Sequence, residues 1–181
     1  MLDAFLEAEH RARIVTASEG VVIVGVGSES MGDDAAGPAV VRRLRARGKL
    51  APSVRLEITR DPTQLVALFD GCAHAVVVDA VLDPERVGSA RRVAPDALSA
   101  KPWCSSSHGI DVVAALGLMQ RLAERPPPQV DIVAVSIADA KVAPRELSAE
   151  VDRGVDAAVT IVEALVAAAG TNAHAALELS D

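Results

Sequence analysis

The sequence predicts a single-domain α/β fold: a mostly parallel, twisted sheet of about five strands with helices on both faces. Three observations lead there. The apolar runs at 21–24 (VVIV) and 75–78 (AVVV) are β-branched and continuous rather than alternating, as in strands buried on both faces. Such runs take turns with segments of helical period, in the order β-α-β-α-β-(β)-α-β-α. Half of the 181 residues are hydrophobic and only 2% are aromatic, so one domain can bury a core of Val, Leu, Ile and Ala.

The elements follow in order. Residues 1–20 read as an N-terminal extension, with a short amphipathic helix expected over Leu2–Ala12. The domain spans 21–170. Strand one, from Val21, breaks at Gly25 and Gly27. The first helix is expected from Asp33 or Asp34, because Pro38 is tolerated only in a first turn; Val40, Val41 and Leu44 form its buried face and Gly48 ends it. Val54–Ile58 is the second strand. Asp61 caps a helix that has Pro62 at its first position and runs through Leu65, Leu68 and Phe69.

Ala75–Val81 is the third strand, with Asp79 at its end and His74 a surface residue just before it. Val87–Val93 suits a short edge strand. His108 precedes a helix with Ile110, Val113, Ala114, Gly117, Leu118 and Leu122 at helical spacing, stopped before Pro126. Asp131–Ile137 is the last strand. Ser148 caps a long helix whose inward face is Val151, Val155, Val159, Val162 and Leu165, and residues 171–181 read as a loose tail.

Composition excludes several classes. A net charge of −7 and the dearth of aromatics argue against a nucleic-acid binder or an anionic-membrane binder. The local basic run Arg42, Arg43, Arg45, Arg47 and Lys49 reads as a solvated helix face. Cys72 and Cys104 are too few for a disulfide framework or a thiolate zinc site. No apolar run reaches membrane-spanning length and residues 1–20 lack the apolar core of a signal peptide, so a reduced, cytoplasmic setting is expected.

In an open parallel sheet, ligands bind beyond the carboxyl ends of the strands. Asp33 and Asp34 follow strand one, Asp79 ends strand three, and His108 lies in the loop before a helix. Two acids and an imidazole make an oxygen–oxygen–nitrogen ligand set for a divalent transition metal, or an acid–base group. Taken alone, Asp33 reads as a helix cap.

The stretch 21–38 (VVIVGVGSESMGDDAAGP) has the form of a phosphate loop, and its glycines allow a tight turn and close approach of a partner's backbone. Its third fingerprint position is Ser30, however, and its helix mouth carries two acids where an anion would sit. That disfavours a nucleotide-dependent enzyme, which stays as an alternative. Ser105–Ser107 beside His108 lack the elbow motif of a serine hydrolase, and Cys104 reads as a small core residue rather than a nucleophile.

Four segments together resemble the hydrogenase maturation endopeptidases: VVIVGVGSESMGDDAAGP, AVVVDAV, SSSHGIDVVAAL and VDIVAVSIADAKVAPRELSAEVDRGVDAAV. The resemblance spans roughly Val21 to Ala168 and implies a phosphorylase/hydrolase-like α/β fold. It implies an endopeptidase, classed as aspartic-type, that removes the C-terminal peptide from the nickel-loaded large-subunit precursor of a nickel–iron hydrogenase. The family's metal-contacting positions fall on Asp34, Asp79 and His108, with Asp34 and Asp79 carrying the catalytic role. No resident cofactor is implied; the substrate's nickel is what is recognised. The partner is the hydrogenase precursor, with no nucleic acid and no membrane. The chain departs from the family at Ser28, where Asn is usual, at Glu29, where an apolar residue is common, and at 59–63 (TRDPT), where a Gly-Gly-Thr loop often stands. The last departure also suits a non-catalytic member of the fold.

Overall fold

A computed structural model describes residues 20–94, 112–122, 127–139 and 146–178. Five strands form one sheet in the order β2-β1-β3-β5-β4: β1 Gly20–Val26, β2 Val54–Thr59, β3 Cys72–Leu82, β4 Ala90–Val93 and β5 Gln129–Ile137. All neighbours are parallel except β4, which runs antiparallel along β5. The helices are α1 Ala36–Arg47, α2 Leu65–Leu68, α3 Val112–Leu122 and α4 Ala149–Glu178.

The sheet separates two apolar layers, because successive side chains of a strand point to opposite faces. On one face Val22, Val24, Val77 and Ala134 pack with Leu65, Phe69, Val112, Leu116 and Met119 of the α2–α3 side. On the other Ile23, Val76, Val78, Val133 and Val135 pack with Val40, Val41 and Leu44 of α1 and Val151, Val155, Val159 and Val162 of α4. Nearly all of the central strand residues are fully buried. This is the double-sided burial that makes their sequence continuous rather than alternating.

Several boundaries follow the local chemistry. Gly48 takes φ 58°, and its N–H donates to the Leu44 carbonyl, closing α1. The Ser148 hydroxyl accepts from the Val151 N–H at 3.3 Å, capping α4. Asp61 accepts from the Thr63 N–H at 2.9 Å, but the helix it opens is a 3-10 turn followed by one α turn. That helix cannot run on, because Gly71, at φ 71°, turns the chain into β3 two residues after Phe69.

Other expectations are corrected. The first helix begins at Ala36, behind a 3-10 turn over Gly32–Ala35 that holds both acids. Strand β3 continues to Leu82, so Asp79 lies inside the strand, not at its end. In α3 the fully buried stripe is Val112, Ala115, Leu116 and Met119, while Ala114 and Leu118 are exposed. Residues 112–119 of that helix are apolar on all sides, so this stretch does not choose a face and the sheet does. Beyond Gly170, where the sequence suggests a tail, α4 runs on to Glu178; the alanine-rich 171–178 segment has no helix stop.

His74 is not a surface residue. Its Nε2 lies 2.8 Å from Asp131 Oδ2, both side chains are over nine-tenths buried, and Arg92 Nε donates to Asp131 Oδ1 at 2.6 Å. His74 pairs with Gln129 at the first positions of the β3–β5 ladder, so this cluster sits at the sheet edge remote from the strands' carboxyl ends. The basic run of α1 is exposed but engaged: Arg42 pairs with Glu29, Arg43 with Asp152 and Asp156, and Arg47 with Glu163. No described helix is long and apolar enough to cross a membrane. The helix expected over Leu2–Ala12 lies outside the described residues.

Candidate active site

The strand order creates one topological switch point. From β1 the chain passes through α1 to β2 on one side; from β3 it moves the other way, towards β5 and β4. The crevice beyond the carboxyl ends of β1 and β3 is where such sheets bind ligands. The turn that carries Asp33 and Asp34 leaves β1 there, and it packs against β3. The last pair in register between the two strands is Gly25 with Val78, so Asp79 is the next residue of β3 at that edge.

Glycines bring the turn down onto the sheet. A Cβ on Gly37 would lie 2.4 Å from the Val26 carbonyl oxygen and 2.5 Å from that of Val78. A Cβ on Gly25 would lie 2.4 Å from the Gly37 oxygen. Gly27, at φ 135°, has the Asp34 carbonyl where a Cβ would stand. The backbone that approaches these glycines is thus the chain's own helix start, lying directly over β1 and β3.

The two acids have separate tasks. Asp34 is buried, 8% exposed, and its Oδ2 accepts from the Ser28 N–H at 2.7 Å. Asp33 is half-buried and does not cap its own turn; its Oδ1 accepts from the Ser148 N–H at 2.7 Å, where α4 begins. Three more of the loop's amides are committed as well. Gly27 N–H donates to Thr59 O, Met31 N–H to Ser28 O, and Asp34 N–H to Met31 O. A phosphate would find those donors taken and two carboxylates facing it, so the nucleotide reading is not favoured.

Asp79 is half-buried in β3, in step with Ala75, Val77 and Val81 of the α3-facing layer. It pairs in register with Ala134, and Ala134 with Arg91 across β4. Arg91 is tied down beside it, donating to Ser136 Oγ at 2.9 Å and to Asp83 Oδ2 at 3.2 Å. His108 lies outside the described residues, four positions before the first residue of α3. That helix packs against α2 and against the 3-10 turn that follows β2. Cys104 and Ser105–Ser107 are outside the described residues too. Among the described residues no three His, Cys, Asp or Glu side chains group as a metal site, so the described part of the proposed set is the Asp34–Asp79 edge.

The loop after β2 is self-contained. Thr59 Oγ1 donates to Gln64 Oε1 at 2.8 Å, and Asp61 Oδ1 accepts from both the N–H and hydroxyl of Thr63. These bonds hold Asp61 below the usual carboxylate range. An Asx turn thus stands where a glycine loop is common in the resembling proteins.

A family model described as hydrogenase maturation protease matches residues 38–165, well over half of the chain. The chain belongs to the hydrogenase maturation protease family. The matched stretch includes Asp79 and His108 and starts just beyond Asp34. By family the protein is a peptidase. Among solved structures, the [NiFe] hydrogenase maturation protease HybD from Thermococcus kodakarensis is 26% identical, covering 82% of this chain and 99% of its own, with a TM-score of 0.65. The hydrogenase maturating endopeptidase HybD from E. coli shares 19% identity over 84% of this chain and 94% of its own, also at TM-score 0.65. The endopeptidase HycI from Escherichia coli shares 18% over 78% and 88%, at TM-score 0.63. The last two likenesses bear on the fold alone. A search of curated protein sequences finds no significant match.

Proposed function

We propose that this protein is the endopeptidase that removes the C-terminal peptide from the nickel-loaded large-subunit precursor of a nickel–iron hydrogenase. The observation that carries this reading is Asp34, held by the Ser28 N–H in a turn laid against β3 at the switch point, next to the strand edge of Asp79. The nickel belongs to the substrate. Asp34, Asp79 and His108 supply two carboxylates and an imidazole, weak ligands that touch a metal already held by the precursor without withdrawing it. Binding then depends on the metal, which makes nickel loading the condition for cleavage.

The scissile peptide must lie within reach of the same carboxylates. Asp34 or Asp79 takes the proton of the attacking water and returns it to the leaving amine, the role that gives an aspartic-type classification its meaning. The buried Ser28–Asp34 bond keeps the Asp34 carboxylate in one orientation, so the proton acceptor does not have to be ordered during the reaction. The protein acts in the cytoplasm on this reading, needing no cofactor of its own.

The test is to incubate the purified protein with nickel-loaded and nickel-free precursor and to follow the C-terminal peptide by mass spectrometry. Only the loaded form is expected to be cut, and Asp34→Ala, Asp79→Ala and His108→Ala should each lower the rate by about 100-fold or more. Cleavage indifferent to nickel, or a full rate in His108→Ala, would overturn the mechanism.

A further inference from the structure

Asp33 has no place in the ligand set, yet it makes the longest-range polar contact of the turn, reaching a backbone amide 115 residues away. The chemistry of that amide explains why an acid stands there. Ser148 is the N-cap of α4: its hydroxyl accepts from the Val151 N–H, and its carbonyl accepts from the Asp152 N–H at 2.8 Å. In a complete capping box the N-cap's own N–H is satisfied by a Glu or Gln side chain at the third helical position. Here that position is Val151, fully buried in the core beneath α4. The helix cannot complete its own box, because the residue that would do so is needed for packing.

We infer that Asp33 is the missing half of the α4 capping box, supplied from the opening loop, and that through this bond it is a positioning residue for Asp34. A carboxylate is the fitting acceptor: the bond is charge-assisted, and the positive end of the α4 dipole favours the negative charge. The consequence reaches Asp34 because both acids lie in the same four-residue turn, Gly32–Ala35. Three of the contacts that hold the turn reach different parts of the fold. Gly37 seats α1 on β1 and β3, Asp34 grips Ser28 within the loop, and Asp33 ties the turn to α4. The first two fix the turn to the sheet and to its own loop; the third ties it to a different element, the start of α4. The catalytic part of the inference rests on the endopeptidase reading above, whereas the positioning part does not.

The test compares Asp33→Ala with Asp33→Asn in the full chain, by two readouts. The first is the 15N–1H resonances of the Ser28 and Ser148 amides, recorded without precursor. Both amides should lie downfield in the wild type, move upfield in Asp33→Ala, and return most of the way in Asp33→Asn, whose amide oxygen still accepts. The second is kcat and KM for the nickel-loaded precursor, well below the melting temperature of each variant. Asp33→Ala should lose about 10- to 100-fold in kcat with little change in KM, and Asp33→Asn should recover to within about fivefold of the wild type.

An unmoved Ser28 resonance in folded Asp33→Ala, or a wild-type kcat in that variant, would overturn the inference. So would an Asp33→Asn variant as impaired as the alanine one, which would make the charge itself the functional element. If Asp33→Ala does not accumulate as folded protein, Asp33→Ser, one bond too short to reach Ser148, takes its place with the same criteria. If the wild type does not cleave the precursor at all, the endopeptidase reading fails and the Ser28 resonance alone decides the positioning role.

Discussion

Replacing Gly37 with alanine probes the link between the sheet and the site. The added Cβ would lie 2.4 Å from the Val26 oxygen, 2.5 Å from the Val78 oxygen and 2.8 Å from the Val26 nitrogen. Ordinary contacts to carbon begin near about 3.5 Å, so the deficit is roughly 1 Å on two sides. The atoms it meets are backbone of β1 and β3, which are hydrogen-bonded to β2 and β5 on their outer sides and cannot give way. The helix has to rise instead. Overpacking of this kind costs about 1–3 kcal/mol, and the helical preference of alanine over glycine returns at most ~1 kcal/mol. A net loss of about 1–2 kcal/mol is expected. The same movement lifts Asp34 from β3, and a displacement of that size costs on the order of 100-fold in rate.

The assay is urea unfolding followed by circular dichroism, together with cleavage of nickel-loaded precursor at a temperature where the variant is folded. The midpoint should fall with the slope unchanged, and cleavage should fall with it. Gly117→Ala is the matched control. It lies within α3, and nothing is within 4 Å of its added Cβ, so it should gain about 0.5–1 kcal/mol and cleave normally. A Gly37→Ala protein as stable and as active as the wild type would refute the account of how α1 is seated.

Two further substitutions test other parts of the fold. Asp131→Ala leaves the buried His74 Nε2 without its partner, while Arg92, whose side chain is 57% exposed, rehydrates. A loss of about 1–3 kcal/mol in urea unfolding is expected, with cleavage retained because the cluster is at the far sheet edge; a loss of precursor cleavage in the folded variant would contradict that placement. Asp61, held below the usual carboxylate range by its bonds to Thr63, stabilises the native state when ionised. That contribution is complete above the ordinary aspartate value of about 3.9 and disappears as pH falls through the lowered native value. The melting-temperature gap between wild type and Asp61→Ala should therefore be constant near neutrality and close in acid. A gap independent of pH would refute it.

The fold was legible because its signals are local. Continuous β-branched runs mark strands covered on both sides, and Gly48, Asp61 and Ser148 act through bonds to residues within four positions. Signals that depend on a distant neighbour were not legible. His74 looks like a loop residue until β5 brings Asp131 against it. The face that α3 buries is undecided in a segment apolar all round. Arg43 and Arg47 of the basic run on α1 become ion-paired only because α4 lies alongside.

The sequence by itself determined the alternation of strands and helices, the glycine turn after β1, the acids in that turn and the family whose motifs they match. These depend on period, spacing and residue type, which the chain carries without folding. Only the tertiary structure decided which amide each of the two adjacent acids meets. Asp34 turns inward to Ser28, and Asp33 reaches across to α4. Residues 33 and 34 are chemically identical, so the sequence could offer one as a cap and one as a ligand but could not name the partner of either. The distinction comes from which amide each meets once α1 is pressed onto β1 and β3, and that is a property of packing.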